Sequence, residues 1–311
     1  MKSILGVDIG NGDVKSYYLD REGNYKKVKF SSVVADAPFE AVDMPIFEGR
    51  RYFLGEEALM RDSKDIKEIS SSFSLFQKLS PLFLWKILEA FQIKPEDIDF
   101  LVVGLSLAET DNAESYVKRL TKFKVDKTTY DFSGKISLVP QGLGAKYAID
   151  ENFKEKARAY LVIDIGFATI DCVDVIAGVV RPENMKGFIG DGIVKIAMNL
   201  REHILDTYDE VISLKEAKEI IETKRIRLNG ESHDLSDIIS KFSKKYTEQT
   251  IKILQITYKR EFKRYEKIYF VGGGSYFIDS GVSSIIQKVD LPEYYNAMGN
   301  LFFKNAKENR H

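Results

Sequence analysis

The sequence predicts an α/β fold built from two similar halves, and three observations carry that reading. The stretch Leu161-Val162-Ile163-Asp164-Ile165-Gly166 leads into Thr169, Asp171 and a second apolar run. It reads as a buried strand, a tight glycine turn and a returning strand. Residues 4–15 (Ile-Leu-Gly-Val-Asp-Ile-Gly-Asn-Gly-Asp-Val-Lys) repeat the pattern about half a chain earlier, with Asp8 and Gly10 in the places of Asp164 and Gly166. Around these hairpins, helical spacings alternate with short apolar strands, as an α/β architecture requires. Two Asp-x-Gly hairpins, one per half, imply two domains facing each other across a cleft, with a metal–phosphate group held from both sides.

Composition narrows the classes. The 311 residues allow one large domain or two of ordinary size. An apolar share of 44% supplies a real core, and a net charge of −1 argues against a chain-wide nucleic-acid surface. Cys172 is the single cysteine, so no internal disulfide can form, and its apolar strand suits a small buried residue better than a reactive thiol. The chain enters a strand directly and no apolar run reaches the ~18 residues that span a bilayer, so a soluble, cytoplasmic protein without membrane attachment is expected.

In chain order, residues 3–8, 14–19 and 25–30 read as a three-strand meander, turning at Gly10-Asn11-Gly12 and at Arg21-Glu22-Gly23-Asn24. Residues 31–70 are less regular, with one strand near 50–55 and a short helix from Glu56. Apolar residues at helical spacing predict a helix over 75–91, with Trp85 in its packing face. Residues 100–105 form a buried strand, 112–120 a helix, and 123–139 strand-like stretches around Gly134. A strand ends at Val139-Pro140-Gln141-Gly142, and a helix opens there and runs to about Glu155. After the second Asp hairpin, a third strand follows Gly178, and Met185 to Gly192 is a glycine-rich lead into a helix over 193–208. Residues 215–225 are helical, and 235–265 form one long helix or two abutting ones. The apolar strand 268–271 runs straight into Gly272-Gly273-Gly274-Ser275, and a last helix covers 294–309.

Several of these residues suit phosphate chemistry. Asp8 and Asp164 stand at strand ends, where a carboxylate can hold a hydrated Mg²⁺. Lys15 offers a point charge to phosphate oxygens. Alone, each hairpin is equally what turn-favouring Gly, Asn and Asp would make; the pair shifts the balance. Gln141, after a strand and before a helix, can orient a water for in-line attack on a γ-phosphate, or simply start the helix. The Gly272-Gly273-Gly274 run lets a flat ligand approach the backbone, or is a flexible turn. Lys218, Glu219 and Glu222 share one helix, which reads first as a solvated charged face. His203, His233 and His311 show no metal-ligand spacing.

Six segments taken together carry a resemblance: GVDIGNGDVK (6–15), VPQGLGAKY (139–147), VIDIGFATIDCVDV (162–175), IGDGI (189–193), VGGGSYFI (271–278) and YNAMGNLFF (295–303). In that order the chain resembles the actin/Hsp70/sugar-kinase superfamily, and within it the prokaryotic actin-like ATPases of the ParM/StbA type and their archaeal actin relatives. The resemblance implies an actin-like fold, a duplicated ribonuclease H-like two-domain ATPase with an interdomain nucleotide cleft. It implies ATP and Mg²⁺ as cofactors, with Asp8 and Asp164 around the metal. Gly10, Asn11, Gly12, Asp13 and Lys15 would meet the phosphates on one side and Gly166, Phe167, Ala168 and Thr169 on the other. Gln141 would position the attacking water. Gly272, Gly273, Gly274 and Ser275 would cradle the adenosine, with Glu219 near the ribose or base.

The same resemblance sets the expected organisation. Domain I covers 1–155, with a small inserted subdomain within 31–95 and the C-terminal helix 294–311 packed back on it; domain II covers 156–293. The expected activity is ATP hydrolysis coupled to filament assembly, for plasmid or DNA segregation or another cytoskeletal role. The expected partners are further copies of the chain and a DNA-binding adaptor, with no direct nucleic-acid contact. The alternative is a small-molecule kinase of the same superfold, although no substrate-base motif stands out. An Hsp70-like regulator would need a further domain. A membrane-bound actin relative would need a longer amphipathic anchor than residues 301–307 supply. The stretch 31–95 matches no motif.

Overall fold

In the computed structural model, residues 1–61, 65–68, 72–153 and 157–308 are described, with the side chains of 305–308 left aside. The chain divides into two compact units, Met1–Lys156 with Glu293–His311, and Ala157–Pro292.

The first unit is built on a five-stranded sheet. Strands β1 (Ile4–Ile9), β2 (Asp13–Leu19) and β3 (Tyr25–Ser31) form an antiparallel meander. The backbone then passes into a second, four-stranded sheet of β4 (Val33–Ala37), β5 (Ile46–Phe47), β6 (Arg50–Leu54) and β7 (Ile66–Glu68), with helix α1 (Glu56–Leu59) beside it. Sequence patterning pointed only to β6 and α1 here, because β5 and β7 are too short for alternation to register and β4 opens on the unbroken apolar run Val33-Val34-Ala35. Val33, Ala35, Phe53 and Ala58 make a separate small core for this sheet.

Helix α2 (Phe73–Phe91) starts where the Ser72 hydroxyl accepts from the Leu75 N–H at 3.2 Å. Its buried face, including Leu79, Leu82, Phe83, Ile87 and Leu88, packs into one cluster with Leu5, Val7, Ile9 and Val14 of the main sheet. Of the expected 31–95 stretch, then, α2 belongs to the main core, and the small sheet shares that core through Val34, Phe47, Tyr52 and Leu54 while keeping a small core of its own on its other face. Strand β8 (Phe100–Leu105) runs parallel to β1, helix α3 (Ala113–Thr121) follows, and β9 (Lys122–Val125) pairs with β10 (Thr128–Asp131) as a short hairpin. Strand β11 (Ile136–Pro140) adds parallel to β8 and leads into α4 (Leu143–Asn152), which ends short of the expected 155, with Phe153 already extended; 154–156 lie outside the described residues.

The second unit repeats the scheme. Strand β12 (Ala159–Ile165) pairs antiparallel with β13 (Thr169–Ile176), which carries β14 (Val179–Val180) and β15 (Lys186–Ile189) on its far edge. The expected glycine-rich lead-in is thus partly a strand. Lys186 and Gly187 have low strand propensity, and pairing with β13 overrides it. Helices α5 (Val194–Tyr208) and α6 (Leu214–Thr223) follow, the latter opened by a Ser213/Glu216 capping box. A hairpin of β16 (Arg225–Leu228) and β17 (Glu231–Asp234) turns at Asn229-Gly230, both at positive φ. Helix α7 (Ser236–Phe262) is one run broken near its end by non-helical geometry at Lys259. Strand β18 (Lys267–Val271) is parallel to β12, and β19 (Ile286–Lys288) is parallel to β18.

The two main sheets therefore share one plan: a central strand, an antiparallel hairpin on one side and two parallel strands on the other, in the orders β11-β8-β1-β2-β3 and β19-β18-β12-β13-β14. Cys172 is fully buried within the second unit. The last helix, α8 (Tyr295–Glu308), belongs to the first unit, and Asn309 lies outside the described residues. Gly299 on α8 lies so close to Gly144 on α4 that a Cβ there would overlap the Gly144 carbonyl oxygen. No helix among the described residues is long and apolar enough to cross a membrane.

Candidate functional site

In the first unit, β1 carries Asp8 to the end of a fully buried strand. Antiparallel register sets Asp8 opposite Lys15. The turn between them closes with Gly10 N–H donating to the Asp13 carbonyl at 3.1 Å, and the Lys15 ammonium reaches that same carbonyl at 3.1 Å. Gly12 accepts from the Ser32 N–H at 3.2 Å, which ties the turn to the strand beside it. Asp13 lies 3.8 Å from the Lys29 ammonium.

Gln141 follows β11, and its Nε2 donates to Asp8 Oδ1 at 2.6 Å across 133 positions of sequence. Its own N–H donates to the Leu105 carbonyl at 2.8 Å, so β8 fixes its backbone. Asp8 is 4% exposed. Burial pushes its carboxyl above the ordinary value near 3.8; the Lys15 charge and the Gln141 hydrogen bond pull it back, and Asp13 adds to the upward push. The structure thus gathers Asp8, the Gly10-Asn11-Gly12 turn, Asp13, Lys15 and Gln141 at one end of one sheet.

Sequence reasoning missed three residues of this end. Gly104 on β8 faces Asp8 Oδ1 and the Gln141 side chain. Asn296 Oδ1 on α8 accepts from the N–H groups of Gly142 at 2.9 Å and Ala145 at 3.3 Å. Asn300 Nδ2, one turn further along the helix, donates to the Val7 carbonyl at 3.2 Å. The only trace in the sequence is two asparagines four positions apart in a helix, which places them on one face.

In the second unit, Asp164 stands at the equivalent strand end, opposite Asp171 across the hairpin and beside Val271 of β18. The Gly166 N–H donates to the Thr169 carbonyl at 2.9 Å, as Gly10 does to Asp13. The carbonyls of Gly166 and Phe167 accept from the N–H groups of Ile193 at 3.2 Å and Val194 at 2.9 Å, which draws the turn onto the start of α5. Ala168 accepts from Gly190 at 2.7 Å. Among the described residues, the N–H groups of Asn11, Phe167 and Ala168 have no protein acceptor. Turn amides of this kind are a phosphate-facing arrangement.

Gly272, with φ at 80°, follows β18 directly, and a Cβ there would overlap the Asp164 carboxylate and the Ile165 carbonyl. Gly273 and Gly274 continue in a 3-10 turn, and a Cβ at Gly274 would overlap the Ile165 side chain. Ser275 closes the turn by donating its hydroxyl to the Gly272 carbonyl at 2.8 Å. The glycine run is therefore set by close backbone packing against the Asp164 strand end. Glu219 is exposed on α6; among the described residues it shares no hydrogen bond or ion pair with the hairpin or the glycine run.

Two family models cover most of the chain. Residues 6–144 match the N-terminal domain of actin-like proteins, and residues 162–284 match the C-terminal domain of the archaeal actin homologue described as MreB-like. Both halves of the chain are actin-like. Among solved structures, this actin-like chain is similar to the subunit of a 15-stranded ParM filament from Clostridium botulinum, at 20% identity and a TM-score of 0.79 over 98% of this chain and 99% of that one. It is similar to the archaeal actin homologue Ta0583, at 18% identity and a TM-score of 0.74 over 98% and 99% of the two chains. It is also similar to a Bacillus thuringiensis ParM solved with ATP, at 19% identity and a TM-score of 0.61 over the full length of both. Likeness at such identities carries the actin-like fold. No curated protein matches the sequence.

Proposed function

We propose that this actin-like protein binds ATP with Mg²⁺, hydrolyses the γ-phosphate, and assembles with further copies of itself into filaments under control of the nucleotide. The observation that carries the reading is the Asp8–Gln141 pair beside Lys15 and the Gly10 turn. It supplies a carboxylate for a hydrated metal, a cation for phosphate and an amide able to hold a water. Solved relatives of the same fold bound to ADP and ATP, and one in a filament, support the nucleotide and the assembly.

The residues present suit Mg²⁺. Among the described residues, no three His, Cys, Asp or Glu side chains gather into a metal cage. Mg²⁺ keeps several waters and takes one or two carboxylates plus phosphate oxygens, and each unit offers one buried carboxylate of that kind at a strand end, Asp8 in the first and Asp164 in the second. When bound, the metal neutralises charge on the phosphates. Lys15 adds a second positive charge, and the turn N–H groups of Asn11, Phe167 and Ala168 are the donors that would meet phosphate oxygens. The Gly272–Ser275 backbone offers a surface for the adenosine; a place for Glu219 near the ribose or base rests on the family resemblance alone.

Gln141 donates to Asp8 through Nε2, because an ionised carboxylate only accepts. That leaves its Oε1 to accept a proton of the attacking water and orient it. A kinase of the same fold needs a base for a substrate hydroxyl, and an amide at this place cannot serve as one. Head-to-tail contacts between copies propagate as a filament when the rotation from one copy to the next does not close a ring. A role in plasmid or DNA segregation in the cytoplasm, through a DNA-binding adaptor, is the cellular reading we favour.

Sedimentation with ATP, a non-hydrolysable analogue and ADP, each with Mg²⁺, tests the assembly. Pelleting above a critical concentration with ATP or the analogue, and much less with ADP, is expected. A chain that stays monomeric at high concentration in every nucleotide state contradicts it.

A further inference from the structure

We infer that Asn296 and Asn300 of α8 are positioning residues for Gln141, one used as an acceptor and the other as a donor. The inference rests on the proposed ATPase reading for its kinetic consequence, but not for its geometry. Both side chains are buried, at 4% and 1% exposure, so neither is a surface polar group that water would satisfy. Asn296 Oδ1 accepts from Gly142, the residue after Gln141, and from Ala145 in the first turn of α4. Asn300 Nδ2 donates to Val7, the residue before Asp8. One rigid helix thus grips the backbone on either side of the Asp8–Gln141 hydrogen bond, which itself measures 2.6 Å.

The helix can come this close only because the facing positions are glycines. A Cβ at Gly6 would overlap the Ala297 carbonyl, and a Cβ at Gly144 would crowd Asn300. Misplacing a water-orienting group by about 1 Å costs up to ~100-fold in rate while leaving binding nearly intact. Asn296 and Asn300 therefore act on turnover through the placement of Gln141 and touch no ligand themselves.

The opposite roles give an opposed test from one chemical change. Asn296→Asp keeps the oxygen acceptor and places a carboxylate at the start of a helix, where it is tolerated. Asn300→Asp removes the donor and sets a carboxylate against the Val7 carbonyl. In the full chain with ATP and Mg²⁺, Asn296→Asp is expected to retain single-turnover hydrolysis within about threefold of wild type. Asn300→Asp and Asn296→Leu are expected to lose about tenfold or more, with the dissociation constant for a non-hydrolysable ATP analogue within about threefold in every case. Amide hydrogen exchange without nucleotide supplies the second readout. Exchange across 142–146 speeds up in Asn296→Leu and not in Asn296→Asp; exchange at Asp8 speeds up in Asn300→Asp.

Equal behaviour of the two Asn→Asp variants, in rate and in exchange, overturns the inference. So does exchange at 142–146 that is unchanged in Asn296→Leu. A wild-type chain inert to ATP whose variants still show the opposed exchange pattern overturns the ATPase reading and leaves the grip of α8 standing.

Discussion

Gln141 donates its side-chain amide to Asp8 at 2.6 Å, so the residue proposed to hold the water is itself held by a residue proposed to hold the metal. The two cannot be altered independently. Gln141→Ala should bind ATP nearly as wild type does and hydrolyse it about 100-fold more slowly, because a water-orienting contact acts mainly in the transition state. Gln141→Glu should fare differently. It sets a second carboxylate against a buried Asp8 that burial already pushes upward, so one of the pair holds a proton and metal-dependent binding weakens as well. Calorimetric titration of each variant with ATP and Mg²⁺, beside phosphate release, separates the two outcomes.

Lys15 is buried beside Asp8 and fixed by the Asp13 carbonyl, which leaves its charge aimed along the sheet end. Lys15→Met keeps the apolar stem and removes the charge. Affinity for ATP should fall about tenfold or more, with a smaller loss for ADP if the ammonium addresses the β/γ-phosphates. Equal losses for the two nucleotides place the charge elsewhere.

Gly299 has no room for a methyl group at the contact of α8 with α4. Gly299→Ala should cost about 1–3 kcal/mol through backbone overlap, read as a lowered denaturant midpoint. Gly178, whose Cβ position is open but whose φ is 77°, should lose less on the same change. Matching losses at the two positions would mean that α8 and α4 have space to part.

Asp99 ties the start of β8 to the start of β1. It accepts from the Ser3 N–H at 2.9 Å and from the Ser3 hydroxyl at 3.1 Å, with Arg21 Nη2 3.3 Å away. The Ser3 backbone bond, opposed by burial and reinforced by Arg21 and the Ser3 hydroxyl, holds its carboxyl below the ordinary value of 3.8. A carboxyl depressed in the folded state contributes stability above its unfolded value and loses it as pH falls through the folded one. Asp99→Ala should therefore be destabilised by about 1 kcal/mol at neutral pH, allowing for the exposed Arg21 pair, and by progressively less below pH about 4. Unfolding curves at several pH values read this directly.

The paired hairpins were legible because each is local: strand, Asp, Gly, turn and strand fall within about a dozen residues, and local pattern is what sequence periodicity reports. The links that assemble the first end were not legible. Gln141 meets Asp8 across 133 positions, and Asn300 meets Val7 across 293. Nothing in the spacing of either pair marks the contact. Gly104 carried no motif, yet a Cβ there would lie 3.7 Å from the Asp8 carboxylate. The hairpin at Asn229-Gly230 has a turn signal in the sequence and Ile226 and Leu228 alternate along β16, but that alternation lasts only four residues and β17, Glu-Ser-His-Asp, carries no apolar residue. Glu219 shows the converse: its assignment came from the family resemblance, and its exposed side chain has no local partner that would place it at a ligand.

Phosphate release from ATP by the full chain in Mg²⁺, compared with Asp8→Ala under the same conditions, tests the central claim most directly. Sustained release by the wild type, lost on adding a chelator and reduced at least ~100-fold in a folded Asp8→Ala variant, is the predicted result. Release by Asp8→Ala at the wild-type rate would contradict the account.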